Sequence, residues 1–244
     1  MPGGIFASVS LGSVVRSRDF AELIVGYCLI LGAVWTPAPL RNVLFCITTA
    51  WIIGVFAVAP RGRHLFGFRA KSFRHSLLMV LGGLLCAGLL VLISWELAWL
   101  HPPFGSKPFF MSIGGYFVWA LLQQFLLQCF FLGRLLRLVS HKGTAVVIAG
   151  VLFASAHVPN PVLFVATLVW GIAACALFVQ YRNLYSLGIV HWILGLAVAV
   201  SAPDALNHHM RVGLGYVRFH PEPQIVEELG PGQLSQSSVA PASR

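Results

Sequence analysis

Seven apolar runs, each bounded by turn chemistry, dominate this chain: residues 20–35, 43–59, 76–99, 112–133, 145–158, 162–180 and 185–201. A bilayer core demands about 20 apolar residues of a spanning helix, and in lipid every backbone polar group must be satisfied within the protein. The breaks "TPAPLR", "APRGRHLFGFRAKS", "HPPFGSKP", "SHKG", "VPNP" and "YRN" supply proline, glycine and polar residues where the chain must turn. The fifth run is short for a full span. The pattern predicts an all-α fold, a polytopic transmembrane helical bundle of seven membrane helices. An eighth would follow if the region after Ser201 returns to the membrane.

Composition excludes the soluble alternative. Of 244 residues 58% are hydrophobic and 9% charged, where a soluble domain carries about 25% charged residues. The net charge of +9 sits in lysines and arginines scattered between apolar runs, so no nucleic-acid partner is expected. The partner implied is the lipid bilayer, with positive loops on its cytoplasmic side.

Eleven of these basic residues (Arg16, Arg18, Arg61, Arg63, Arg69, Lys71, Arg74, Arg134, Arg137, Lys142 and Arg182) fall on one set of alternate loops, against Arg41 and Lys107 on the other. That bias puts the N-terminus in the cytoplasm. "MPGGIFASVSLGSVVRSRD" does not read as a cleaved signal, because Arg16 and Arg18 precede a later span.

Residues 1–201 therefore read as the membrane bundle. Residues 202–244 read as an interfacial segment, "APDALNHHMRVGLGYVRFH", followed from Pro221 by a disordered tail rich in Pro, Gly, Ser and Gln. Tyr216 and Phe219 are expected at the headgroups, and His208, His209 and His220 in solvent. Cys28, Cys46, Cys86, Cys129 and Cys175 lie in apolar runs without metal or redox spacing, and read as small core residues. Gly150 with Ala154, and Gly82 with Cys86, have the spacing that lets helices approach closely.

Polar side chains inside the apolar runs are few, and they narrow the functional question. The fourth run contains "QQFLLQ", with Gln124 and Gln128 four residues apart on one helix face and Gln123 beside them. His157 and His191 interrupt two further runs. Glu96, in "ISWELAWLHPP", is an acid within an apolar run. Polar groups in a bilayer usually face the bundle interior and often mark a functional site. The expectation is one polar centre shared by the glutamines and both histidines, with Glu96 near the interface.

In this order the three segments resemble the CAAX prenyl endopeptidase and bacteriocin-processing (CPBP) family of intramembrane proteases. That family's first motif is two glutamates and, after three residues, an arginine. Here Gln123 and Gln124 stand at the glutamates and Gln128 at the arginine. Its second motif, Phe and then His after three residues, is intact as Phe153 to His157 in "FASAH". Its third, His and then usually Asn after three residues, retains His191 and places Gly195 last. The similarity covers roughly residues 110–200.

The resemblance implies a helical bundle with a polar cavity, a membrane-associated or lipidated peptide or protein as substrate, and residence in the bacterial cytoplasmic (inner) membrane. It implies that the position of Gln123 activates a water, and that His157 and His191 position it and stabilise the oxyanion. An amide has no usable basicity near neutral pH, and a general base is worth about 10²–10⁴ in rate. The expected function is a CPBP-type intramembrane endopeptidase homologue in which His157 or Glu96 would have to replace the missing base. The alternatives are a non-catalytic protein binding a hydrophobic or lipidated peptide, and a small transporter lined by amides and imidazoles. No cofactor is expected. Two histidines without a carboxylate make a poor zinc site, so a divalent metal has weak support.

Overall fold

The computed structural model describes residues 4–58, 73–100 and 109–220, with side chains for 15–58, 73–100 and 113–220. The chain is helical. The main helices are α1 (Gly4–Trp35), α2 (Leu40–Val58), α3 (Phe73–Glu96), α4 (Phe109–Phe125), α6 (Lys142–Ser155), α7 (Pro161–Tyr181) and α8 (Leu184–Ser201). Helix α4 continues through a wide π-helical turn, Leu126–Leu132, into the short α5 (Gly133–Leu138). Two short pieces close the described chain, α9 (Asp204–Asn207) and α10 (Gly213–Val217).

Among the described residues, five helical stretches are long and apolar enough to cross a membrane: Leu40–Val58, Phe73–Glu96, Ile113–Leu138, Pro161–Tyr181 and Leu184–Ser201. The sequence expectation of seven adds α1 and the apolar α6, which has only 14 residues. Neither α9 nor α10, at 4 and 5 residues, can form an eighth span.

Helix α8 is the centre of the bundle. Half of its apolar window is buried inside the protein, against 11% for α3. It lies between α3 and α4. Against α3 it runs parallel at a constant offset: the Asn183 amide donates to Ser76 Oγ (2.6 Å) and the Ser94 hydroxyl to the Ser201 carbonyl (3.3 Å). Between those two bonds Gly83 admits Val190, whose Cγ1 would lie 2.8 Å from any Cβ added there. Gly82, expected at such a contact, instead lines open space. Which of two adjacent glycines meets a neighbour depends on helix rotation, which an all-apolar helix does not encode. At Gly150 the expectation holds: Gly150 and Gly171 bring α6 and α7 together, with a Cβ at Gly171 lying 3.2 Å from the Gly150 Cα.

Turn chemistry sets the helix starts. Asn160 caps α7 by accepting from the Leu163 N–H (3.0 Å), with Pro161 following it. Asn183 caps α8 by accepting from the Ser186 N–H (3.2 Å). The Asn160 amide also donates to the carbonyls of Asn207 (2.7 Å) and Arg211 (3.0 Å), and the Gly213 N–H donates to the Val158 carbonyl (3.0 Å).

These bonds tie the segment after Ser201 to the bundle. It packs on the end of the bundle, with Gly213 against Val34 at the end of α1. His208 is not free in solvent, since its ring stacks on Tyr216 at 4.0 Å between centroids. The expected disordered tail, from Pro221, lies outside the described residues. Of the cysteines only Cys175 is buried; Cys28, Cys46 and Cys86 are exposed. Lipid is as apolar as a core, so hydrophobicity alone does not separate inside from outside here.

Candidate functional site

One large cavity, of about 1840 Å³, runs through the bundle, and Gln123, His157 and His191 all line it. The three come from α4, the turn after α6, and α8. The other two glutamines lie behind this wall. Gln124 and Gln128 are fully buried and do not reach the cavity.

A hydrogen-bonded line connects them to it. The Gln128 amide donates to the Gln124 carbonyl oxygen (3.1 Å), which turns the Gln124 amide toward His191 Nδ1 at 2.9 Å. An amide NH₂ can only donate, so His191 Nδ1 must accept and its proton sits on Nε2. Gln128 Oε1 keeps no partner among the described residues. One orphaned neutral oxygen costs about 1–3 kcal/mol. An unpaired buried charge would cost more.

His157 has the opposite arrangement. Its Nδ1 lies 2.7 Å from the Phe153 carbonyl one turn earlier. A carbonyl can only accept, so His157 Nδ1 carries the proton and Nε2 keeps a lone pair. The Phe153 ring packs edge-on against both imidazoles, with centroids 4.9 Å from His157 and 5.7 Å from His191. Trp170 flanks His191 on another side, at 6.3 Å. The cavity thus has one imidazole able to accept a proton and one able to donate a hydrogen bond.

Glu96 does not join them. It is exposed at the end of α3 and absent from the cavity wall. No aspartate or glutamate lines the cavity among the described residues. Nor, among those residues, do three His, Cys, Asp or Glu side chains cluster closely enough to hold a metal.

Residues 105–197 match the family model described as Rce1-like, a Type II CAAX prenyl endopeptidase. Residues 105–197 are Rce1-like. No curated protein and no solved structure matches the chain. The Rce1-like segment contains all three glutamines, Phe153, both histidines and Gly195. That segment is similar to the prenyl endopeptidases, and it lies in a chain whose described residues include five helices long and apolar enough to cross a membrane.

Sequence reasoning missed two features. An ionic cluster joins α1 to α5: Arg134 Nη2 lies 2.7 Å from Glu22 and Arg137 Nε 2.6 Å from Asp19. Arg134, Glu22 and Asp19 are all buried. Asp19 and Glu22 lie one turn apart in the sequence, as do Arg134 and Arg137, which was the available signal. The second is Tyr116, which lines the cavity opposite Gly195 and carries no motif.

Proposed function

We propose that the cavity receives a membrane-associated peptide or protein segment, and that the chain is a weak endopeptidase in which His157 supplies the base. The observation that carries this reading is the complementary pair of imidazoles. His157 Nε2 keeps a lone pair and His191 Nε2 carries a proton, and both residues line the cavity. A water oxygen attacking the scissile carbonyl would give its proton to His157 Nε2. The resulting oxyanion would accept from His191 Nε2–H, and His157 would then return the proton to the leaving amine as the C–N bond breaks.

Gln123 stands where the resemblance places a glutamate. Its half-buried amide makes no hydrogen bond to any described residue, so it can orient a water but cannot deprotonate it. Turnover about 10²–10⁴ slower than with a carboxylate follows. The cavity exceeds the roughly 300–1,000 Å³ of a drug-sized site, which suits an extended peptide with a lipid chain.

The lack of a carboxylate among the described residues lining the cavity favours a second reading, retention of the peptide without cleavage. The test is to incubate the purified full-length protein in detergent with a fluorescent peptide ending in S-farnesylcysteine and three further residues. Saturable binding with slow release of the three-residue fragment, read by mass spectrometry, supports the first reading. Binding without cleavage selects the second. A failure of this and of unprenylated apolar peptides to bind overturns both.

A further inference from the structure

Tyr116 projects from α4 toward α8, where its hydroxyl occupies the position that a Cβ on Gly195 would take; the Tyr116 Cζ itself would lie 2.6 Å from that atom. Gly195 is one helical turn beyond His191 on α8, so the phenol oxygen stands about 5–6 Å along the helix from the base of the imidazole. The approach is held along the interface. Leu121 fills the space beside Gly188, and the Trp192 indole donates to the Ile113 carbonyl at 3.2 Å. The two helices are thus in antiparallel register, with Tyr116 opposite Gly195.

The Tyr116 hydroxyl lines the cavity and makes no hydrogen bond to any described residue. A tyrosine O–H in apolar surroundings usually finds a partner, because leaving it unpaired costs free energy. Among the described residues no carboxylate lines the cavity to accept its hydrogen bond. A ligand held in the cavity can supply that partner.

We infer that Tyr116 is a binding residue whose hydroxyl donates a hydrogen bond to a backbone carbonyl of the bound peptide, beside His191. This rests on the reading that the cavity receives a peptide, whether or not it is cut. Gly195 is required because any side chain there would displace the phenol. Where the resemblance leads one to expect a polar side chain on α8, this chain supplies a donor from α4 instead.

The test uses the full-length protein and the farnesylated fluorescent peptide, with a series of variants of that peptide in which each backbone amide in turn is replaced by an (E)-alkene. Tyr116→Phe should fold normally, since the hydroxyl makes no hydrogen bond to any described residue. It should bind the parent peptide about 3–10-fold more weakly, the worth of one hydrogen bond. For one alkene position it should show no further loss, because wild type has already lost the same contact there. The exchange Tyr116→Ala with Gly195→Asn should recover affinity over Tyr116→Ala alone, by returning a donor from α8. Tyr116→Phe binding the whole series as wild type does, or weakening all members equally, overturns the inference while leaving peptide binding intact. Wild type binding no peptide at all removes the underlying reading and this inference with it.

Discussion

The Gln124 amide donates to Nδ1 of His191 across 2.9 Å, from a position with no access to the cavity that His191 lines. Gln124 therefore sets the tautomer of His191 from behind. Substituting Gln124→Leu should strand Nδ1 in an apolar setting and cost about 1–3 kcal/mol. A lowered thermal midpoint in detergent checks this; an unchanged midpoint would mean the bond contributes nothing.

Gln123, by contrast, faces the cavity, and Gln123→Glu would place a carboxylate there. Cleavage of the farnesylated peptide should rise by about 10²–10⁴, and adding His157→Ala should abolish the gain. A wild type already as fast as Gln123→Glu would show that another base is at work.

Gln128→Arg is expected to harm rather than help. Gln128 is fully buried and bonded to Gln124, not to Gln123. An arginine there meets no carboxylate, and an uncompensated buried charge costs about 3–5 kcal/mol. The double variant Gln128→Arg with Gln124→Glu should regain most of the lost stability by pairing the two. Expression yield and thermal midpoint of the single and double variants decide the matter.

The ionic cluster makes a separate prediction. Arg134 is buried and held by Glu22, while the second partner of Glu22, Arg18, is largely exposed. Glu22→Gln should cost about 3–5 kcal/mol by leaving the guanidinium unpaired. Arg18→Ala should cost about 0–1 kcal/mol. Equal losses in a denaturation comparison would contradict this ranking.

Orientation can be tested at residues on opposite ends of the bundle. In a background with the five cysteines replaced by serine, a cysteine at Ser140 should resist a membrane-impermeant thiol reagent in intact cells. One at Ala205 should react, as the basic-residue bias requires. The reverse labelling would invert the topology.

Membrane residence, the helical class and the breaks between the apolar runs were legible in the sequence, because hydropathy and turn chemistry act over a few residues. So was the set of polar intrusions, since a glutamine or histidine stands out against leucine and valine. What the sequence could not assign was the facing of each side chain. Helices apolar all round carry no amphipathic stripe to reveal their inner side. Only packing turned Gln123 into the cavity while burying Gln124 and Gln128 behind it. The Tyr116 hydroxyl over Gly195, and the pairing of Glu22 with Arg134 across 112 residues, are likewise decisions of tertiary structure. Each depends on how two helices distant in the chain are rotated against one another, and no local pattern records that angle.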